Sequence, residues 1–264
     1  MALFRQGCTV SHNSRDEGNR MSRRLLDVIV AGAAILLFLP LLLFIALAIF
    51  AEDGCPIFFS QTRLGQGGRH FQLLKFRKFG AAAGTMGLPV TLADDPRLTR
   101  VGRILEKSKL DELPQFWNVL QGDMSVVGPR PESLHFADCF VGSYGSLLSH
   151  KPGLFGPAQV FFRNESAYYS ADEDPERTYR QVLFPIKASL DLRHYRRRSL
   201  LEDLAWIALG VAAVVGFSPA RLVKRSVWPA GPASFGPASP GMIDLRFAGS
   251  PGMASVVEEN SDEL

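Results

Sequence analysis

Cysteine and histidine are scarce in this chain, and neither is arranged to bind a metal. The three cysteines, Cys8, Cys55 and Cys139, are far apart in the sequence and form no Cys-x-x-Cys pair. This pattern argues against a disulfide framework and a cysteine zinc site, and it favours reduced thiols in the cytoplasm. The five histidines also lack the spacing of metal ligands, so we expect them to be structural or surface residues.

Basic residues are almost absent from the C-terminal end of the chain. Residues 229–264 contain one, Arg246, with five acidic residues, five prolines and five glycines, a composition that predicts a disordered tail. The first 228 residues therefore hold 28 basic and 21 acidic residues, a net charge of +7. This surplus favours an anionic partner, which by charge alone is a nucleic acid, an acidic lipid or a phosphorylated substrate.

Charged residues are missing from one long apolar run. Residues 28–50 are 23 consecutive residues without a charge, which as a helix would reach about 34 Å, enough to cross the hydrocarbon core of a bilayer. We therefore expect a membrane segment at residues 23–52, preceded by a polar N-terminal segment at residues 1–22. A cleaved secretory signal is the alternative, but its apolar region is typically only about 7 to 15 residues long.

The charges around this run predict that it does not simply cross the membrane. Basic residues precede it, and ten more follow it between Arg63 and Lys109, so the positive-inside tendency places both flanks in the cytoplasm. Pro40 lies near the middle of the run, where it removes a backbone hydrogen bond and clashes with the preceding turn. We predict a re-entrant helix hairpin at the cytoplasmic face of the membrane; a kinked spanning helix is the alternative.

The residues after the apolar run predict a small domain of mixed α/β fold at residues 53–228. Short apolar runs there are broken by glycine, proline and aspartate, with a strand expected at 71–76 and helices at 98–105 and 113–120. Residues 204–217 form a further apolar run of 14 residues, which is too short to span a membrane. They predict an interfacial helix or a core helix.

Two adjacent carboxylates, Asp111 and Glu112, stand just before a helix that is expected to start at Pro114. Backbone N–H groups and the helix dipole at such an end stabilise negative charge, which keeps a carboxylate ionised and attracts phosphate. A nucleophile and a metal ligand placed here would share one phosphate group. The alternative is that the two side chains only cap the helix.

Further motifs surround this pair. They are RLLD at 24–27, QTRLG at 61–65, FQLLKFR at 71–77, DPRLT at 95–99, LDELPQ at 110–115, GDMSVVGPRPE at 122–132 and KPG at 151–153. In this order they resemble the motifs of the bacterial sugar transferases, the monotopic phosphoglycosyl transferases. The resemblance implies a membrane enzyme that transfers a hexose-1-phosphate from a nucleotide sugar, such as a UDP-sugar, to polyisoprenyl (undecaprenyl) phosphate. This reaction would initiate the synthesis of exopolysaccharide, O-antigen or another surface glycan.

The resemblance also implies roles for individual residues. Asp111 would be the nucleophile that forms a covalent aspartyl-phosphosugar intermediate. Glu112 would bind Mg²⁺, a cation that prefers oxygen ligands and commonly uses one or two carboxylates together with substrate phosphates. Arg130, between Pro129 and Pro131, would bind the phosphates or the base of the nucleotide sugar. Three further residues would support the site by positive potential or by position: Lys75, Arg77 and Asp191.

The implied partners are a nucleotide sugar, a polyisoprenyl phosphate and membrane lipid, and a homo-oligomer is left open. The basic run at 193–198 fits nucleic acid by its charge. Beside an interfacial helix, however, we expect it to meet anionic lipid headgroups, and we expect no nucleic acid partner. The alternative function is that of a catalytically degenerate relative, which acts as a membrane-bound scaffold or binds anionic lipid.

One residue departs from the family and is the main support for that alternative. Members usually have arginine four residues before the leucine of LDELPQ, where this chain has Glu106, and that arginine is thought to meet the acceptor phosphate. Glu106 either faces this phosphate, where the two charges would repel each other, or pairs with Arg103 or another surface cation. We expect the pairing.

Overall fold

The computed structural model describes residues 14–80, 95–163, 165–169 and 174–217. Its helices are α1 (Ser14–Asp53), α2 (Arg100–Ser108), α3 (Gln115–Gln121), α4 (Pro157–Phe161), α5 (Pro175–Thr178), α6 (Phe184–Tyr195) and α7 (Leu200–Val214). Its strands are β1 (Phe58–Leu64), β2 (His70–Phe76), β3 (Ser125–Val127) and β4 (Gly153–Phe155). The predicted mixed α/β fold is confirmed, whereas the predicted tail at 229–264 lies outside the described residues.

Helix α1 is apolar over most of its length and exposes much of that surface. It begins at Ser14, earlier than the predicted membrane segment, and among the described residues it is the one helix long and apolar enough to cross a membrane. Leu36, Leu37 and Phe44 are 75%, 74% and 69% exposed, an apolar surface that lipid would cover. The backbone is helical on both sides of Pro40, so the re-entrant hairpin remains a prediction.

The N-terminal half of α1 is tied to the domain by polar side chains. The Arg24 guanidinium donates hydrogen bonds of 2.6 Å to the carbonyl oxygens of Val119 and Leu120, which lie at the end of α3, where carbonyls lack helical partners. Asp27 accepts hydrogen bonds from the Ser125 hydroxyl at 2.9 Å and the Val126 N–H at 2.7 Å. This half of the helix is therefore anchored to α3 and β3.

The C-terminal end of α1 is tied to the same domain. The Glu52 carboxylate accepts hydrogen bonds from the backbone N–H groups of Arg100 and Val101 at 2.6 and 2.9 Å, which are unsatisfied donors at the start of α2. The Arg77 guanidinium donates to the Asp53 carboxylate at 2.8 Å and to the Gly54 carbonyl at 2.8 Å. Both flanks of the apolar run therefore contact one folded domain.

The strands form two small sheets. β1 and β2 are antiparallel, with Phe58 opposite Phe76 and Leu64 opposite His70, and β2 confirms the strand expected at 71–76. β3 and β4 are parallel, with Ser125 paired to Gly153. The sequence did not predict this parallel pairing, because each of these strands has only three residues and carries no periodicity.

The core brings the helices and both sheets together. One cluster packs Leu73 of β2 against Val119 of α3, Val126 of β3, Ala31 of α1 and Trp206 of α7. A second cluster, with Phe136, Tyr179 and Phe184 at its centre, lies beneath α6. A third joins the second half of α1 to β2 and α2. The predicted helix at 204–217 is α7, whose packing on the first cluster makes it part of the domain.

Candidate active site

A short turn between α2 and α3 presents the two adjacent carboxylates. Helix α2 ends at Ser108 and is capped by Lys109, whose backbone adopts a left-handed conformation with φ 61°. The chain then makes a 3-10 turn from Leu110 to Glu112. Pro114 follows as the N-cap of α3. The predicted acidic pair therefore precedes a helix, as the sequence indicates, but on a separate turn of its own.

Asp111 is buried and has an oxygen available for chemistry. Its side chain is almost inaccessible to water, and Oδ1 has no hydrogen-bond partner among the described residues. Oδ2 lies 4.0 Å from the ammonium nitrogen of Lys75. Burial raises the pKa of Asp111, although the charge of Lys75 opposes this effect.

Glu112 lies in a more strongly positive environment than its neighbour. Its Oε1 accepts a hydrogen bond of 2.9 Å from Lys75 Nζ and lies 3.8 Å from Nη2 of Arg130. Burial alone would raise the pKa of Glu112, but the charges of Lys75 and Arg130 hold this pKa below its ordinary value. The two neighbouring carboxylates therefore differ in basicity, with Asp111 the more basic.

Both carboxylates line a cavity of about 1120 Å³. Of the residues that the sequence predicts for the site, five line it: Lys75, Arg77, Asp111, Glu112 and Arg130. Lys75 is held there by Asn118, whose side chain accepts a hydrogen bond from the Leu74 N–H at 3.0 Å and donates one to the Gln72 carbonyl at 2.7 Å. This bridge fixes β2 against α3, and with it the distance between Lys75 and Glu112.

Arg130 is positioned by close backbone contacts rather than by its flanking proline rings. The Pro129 carbonyl accepts a hydrogen bond of 2.9 Å from the Gly153 N–H, and the Pro131 carbonyl accepts one of 3.3 Å from Arg63. A Cβ at Gly128 would lie 2.2 Å from the Lys151 carbonyl oxygen, so only glycine permits this approach. The turn around Arg130 is therefore fixed against β4.

Two predicted residues support the site without reaching Asp111. The guanidinium of Arg77 binds the end of α1, as described above, and so holds that helix beside the cavity. Asp191 is buried in α6 and accepts a hydrogen bond of 3.1 Å from the Ala158 N–H. Burial raises the pKa of Asp191 to about 7. Its side chain lies behind Arg130, next to a small second cavity.

The structure adds a polar cluster that the sequence did not predict. Lys187 Nζ donates hydrogen bonds to Glu165 at 2.9 Å and to the Tyr179 hydroxyl at 3.2 Å, and it lies 3.7 Å from Glu132. All four residues line the same cavity as Asp111. Glu132 belongs to the GPRPE motif and was open to prediction, but Glu165 belongs to no motif.

Arg163 is a further cavity residue that the sequence did not predict. Its guanidinium lies 3.4 Å from the carbonyl oxygens of Ser108 and Val214, and it follows the end of α4. Burial lowers its pKa, while the charge of Glu112 acts in the opposite direction. It adds positive charge to the cavity between α2 and α7.

Glu106 binds cations, but Arg103 is not among its partners. Its carboxylate accepts hydrogen bonds from Lys78 Nζ and from Lys109 Nζ, the latter at 2.9 Å. Burial alone would raise the pKa of Glu106, but the two lysines lower this pKa to about 2. The expected pairing with a cation is confirmed, and the partners are Lys78, which approaches only through the tertiary fold, and Lys109, rather than Arg103.

Among the described residues, no group of three or more histidine, cysteine, aspartate or glutamate side chains is arranged to hold a metal ion. Asp111 and Glu112 are adjacent carboxylates that line the cavity beside Lys75. Mg²⁺ in proteins is commonly held by one or two carboxylates with substrate phosphates completing its shell. The acidic pair therefore suits a metal that arrives with a phosphorylated substrate.

Comparison with known proteins identifies the family of this chain. Residues 18–216 match the family described as bacterial sugar transferase. A UDP-glucose:undecaprenyl-phosphate glucose-1-phosphate transferase of Caulobacter vibrioides is 45% identical over 143 residues, which are 53% of this chain and 54% of that protein. A UDP-N-acetylgalactosamine-undecaprenyl-phosphate N-acetylgalactosaminephosphotransferase of Aeromonas hydrophila is 41% identical over 185 residues, 69% of this chain and 41% of that protein.

A third relative matches over most of its own length. The exopolysaccharide production protein ExoY of Rhizobium meliloti is 31% identical over 209 residues, which are 74% of this chain and 85% of that protein. The chain spans about half the length of the Caulobacter and Aeromonas transferases. The family match covers most of the described residues, from the start of α1 to the end of α7. The chain belongs to the bacterial sugar transferase family.

Proposed function

We propose that the protein transfers a hexose-1-phosphate from a nucleotide sugar, in our proposal a UDP-sugar, to undecaprenyl phosphate. The printed names of the Caulobacter and Aeromonas relatives describe sugar-phosphate transfer to this lipid. The observation that carries the proposal is the position of Asp111, a buried carboxylate with an unpartnered oxygen in a cavity that also presents Lys75 and Arg130. Phosphoryl transfer needs an in-line nucleophile and neutralised phosphate charge, and these residues supply both.

The proposed reaction has two steps that share Asp111. In the first, Asp111 Oδ1 attacks the sugar-bearing phosphorus, the bond from that phosphorus to the bridging oxygen breaks, and a nucleoside monophosphate leaves with the bridging oxygen. The sugar phosphate is then joined to Asp111 as an acyl phosphate. In the second step, an oxygen of undecaprenyl phosphate attacks the same phosphorus and frees the carboxylate. The raised pKa of Asp111 makes it a better nucleophile than an exposed aspartate, as long as it is deprotonated.

We further propose that Glu112 holds Mg²⁺ together with the phosphates of the nucleotide sugar. The donor set fits, because Glu112 is a hard oxygen ligand in a cavity open to a phosphorylated ligand, and the neighbouring Asp111 Oδ1, which has no hydrogen-bond partner among the described residues, is left for the attack. When bound, the ion would supply positive charge to the phosphate oxygens. Lys75 Nζ holds one carboxylate oxygen of Glu112 and so fixes the direction in which the side chain points.

The direct test is release of nucleoside monophosphate from a panel of nucleotide sugars by the full chain in nanodiscs. We expect release to require Mg²⁺ and to be lost with EDTA, and we expect lipid-linked sugar to form only when undecaprenyl phosphate is added. The absence of monophosphate release from every nucleotide sugar would overturn the proposal. The degenerate alternative loses its main support, because Glu106 is neutralised by two lysines and does not stand as an isolated negative charge.

For the membrane segment, we propose a hairpin at Pro40 with the domain on the cytoplasmic face. Contacts from both ends of α1 to one domain support it, since a straight span would place these ends on opposite sides of a bilayer.

Single cysteines at positions 12 and 240, in a chain whose own cysteines are replaced by serine, test this topology in intact cells. We expect both to resist an impermeant thiol reagent until the cells are opened. Labelling of position 12 alone would show a spanning helix.

A further inference from the structure

Three charged side chains form a cluster on the cavity wall beside the acidic pair. Lys78, at the end of β2, and Lys109, at the end of α2, both bind the carboxylate of Glu106. We call these three residues the Lys78–Glu106–Lys109 cluster, and all three line the cavity that contains Asp111. Because the charge of Lys78 acts on Asp111 and the charge of Lys109 acts on Glu112, the cluster is electrostatically part of the site.

Backbone and side-chain contacts hold the residues of the cluster in place. The backbone carbonyl of Lys78 accepts a hydrogen bond of 3.1 Å from the Thr99 N–H at the start of α2, which fixes the end of β2 beside this helix. Lys109 has a left-handed backbone with φ 61°, a conformation that is costly for a residue other than glycine and needs support from its surroundings. Its ion pair with Glu106, one helical turn earlier, supplies a contact at that position.

The net charge of the cluster is positive. Two ammonium groups against one carboxylate leave a charge of +1 on a half-buried wall, where a charge acts more strongly than in water. The Lys109 ammonium carries three N–H donors, and Glu106 accepts one of them. An anion that reaches this wall therefore meets positive charge and an oriented donor.

The cluster lies on the side of the cavity that is nearest to the apolar helix. Leu105 and Leu110, the immediate neighbours of Glu106 and Lys109, pack in the cluster formed by Ile45 and Ile49 of α1. Arg130, by contrast, faces Glu132 and Glu165, which surround Lys187 of α6. Lys109 thus lies beside residues that pack on the membrane segment, whereas Arg130 lies among the carboxylates around Lys187.

We propose that Lys78 and Lys109, held in place by Glu106, bind the phosphate headgroup of the lipid acceptor. The inference rests on the proposed function and assigns its second substrate to a definite wall of the cavity. A lipid phosphate enters from the membrane side, where this cluster lies, whereas a soluble nucleotide has no reason to approach along α1. Glu106 is a positioning residue in this arrangement, because it directs the two lysines and does not itself meet the phosphate.

Half-reaction kinetics on full-length protein in nanodiscs test the assignment. We expect Lys78→Met and Lys109→Met each to raise the KM for undecaprenyl phosphate about tenfold or more, as expected for losing a charge-assisted contact. Nucleoside monophosphate release in the first step should fall by a smaller factor than the KM for the lipid rises, because the two lysines act on Asp111 and Glu112 only through their charge, and the remaining release shows that the variants are folded. Lys107→Met is the matched control, because Lys107 lies on the same helix turn but is exposed and outside the cavity lining.

The Glu106→Gln variant tests the positioning role separately. We expect its KM for the lipid to rise although the variant gains positive charge, and Glu106→Asp to restore part of the loss. A lower KM in Glu106→Gln would show that the carboxylate competes with the phosphate and would overturn the positioning role.

Two outcomes would overturn the assignment of the phosphate. In one, both lysine variants behave like Lys107→Met; in the other, they raise the KM for the nucleotide sugar instead. An unmodified protein that releases no nucleoside monophosphate would count against the proposed function itself, so the two failures are distinguishable.

Discussion

The two walls of the cavity differ in chemistry. The wall formed by α1 and α7 is apolar and presents Val30, Ala34, Phe38, Ile207 and Val211. The wall formed by the β1–β2 hairpin, the turn around Arg130 and α6 is charged, and its side chains are held in ion pairs and hydrogen bonds. The apolar wall continues into a helix that exposes leucine and phenylalanine, whereas the charged wall continues into the folded domain.

This difference indicates why the acidic pair lies where it does. Asp111 and Glu112 stand on a turn whose flanking residues, Leu110 and Leu113, pack against α1, while Glu112 contacts Lys75 and lies near Arg130. In the proposed reaction, the nucleotide sugar would reach Asp111 along the charged wall, and the lipid chain would lie along the apolar wall with its phosphate at Lys78 and Lys109. Both proposed substrates carry a phosphate group, and the two phosphates would reach Asp111 in turn.

Removing the carboxylate at the junction of the two walls should have the largest effect on activity. Asp111→Asn should reduce turnover by more than about a thousandfold, because an amide cannot form the acyl phosphate. Glu112→Gln should also remove most activity, by weakening the proposed metal site. Turnover is measured as lipid-linked sugar, with Asp123→Asn as a control because Asp123 is exposed and outside the cavity lining. Activity retained in Asp111→Asn, with deamidation excluded by mass spectrometry, would contradict the assignment.

Removing positive charge from the charged wall should impair the reaction with the nucleotide sugar alone. Arg130→Met removes a guanidinium that lies 3.8 Å from Glu112, and we expect kcat/KM for the nucleotide sugar to fall about ten- to a hundredfold. The KM for the lipid in the second step should be nearly unchanged. Arg103→Met is the matched control, since Arg103 is exposed and outside the cavity lining. An equal loss of kcat/KM for both substrates would show that the two walls do not bind different substrates.

A substitution that disturbs packing in the apolar wall should lower the stability of the protein. A Cβ at Gly210 of α7 would lie 2.1 Å from the Phe155 ring, so Gly210→Ala should push α7 away from β4. We expect the free energy of unfolding to fall by about 1 to 3 kcal/mol, measured by thermal unfolding in nanodiscs. Gly32→Ala is the control in α1, where a Cβ would meet nothing within 4 Å. Equal stability of the two variants would show that α7 is not seated on β4.

The smallest effect concerns Asp191. Its pKa of about 7 in the folded protein lies above the ordinary value of 3.8, so between these values the folded state binds more protons than the unfolded state. Stability should therefore fall as pH rises through this window, and Asp191→Asn should remove that slope. We expect the variant to gain about 1 kcal/mol or more relative to the unmodified protein between pH 5 and pH 8. A gain in stability that does not depend on pH, measured by denaturant titration, would contradict the raised pKa of Asp191.

The sequence predicted the parts of the site that depend on local order. Three features were open to prediction because each depends on a few consecutive residues. They are the acidic pair before a helix, the strand that carries Lys75 and the turn around Arg130. The family resemblance then suggested roles for them. The structure brings Lys75, Glu112 and Arg130 together, which no single segment could show.

What the sequence could not predict are contacts between distant segments. Lys78 and Glu106 are 28 residues apart, and Glu165 and Lys187 are 22 residues apart, so neither pair produces a local pattern. Lys78 could therefore not be named as a partner of Glu106, whereas its second partner, Lys109, lies only three residues away. The short parallel strands β3 and β4 were missed for the same reason, because only tertiary packing pairs them.

The most direct test of the account is detection of the covalent intermediate. Purified protein is mixed with a radiolabelled nucleotide sugar and Mg²⁺ in the absence of lipid, and the peptides are then analysed by mass spectrometry. We expect one sugar phosphate per protein on Asp111, release of an equal amount of nucleoside monophosphate, and loss of the label when undecaprenyl phosphate is added. Formation of lipid-linked sugar without any adduct, or an adduct on a residue other than Asp111, would contradict it.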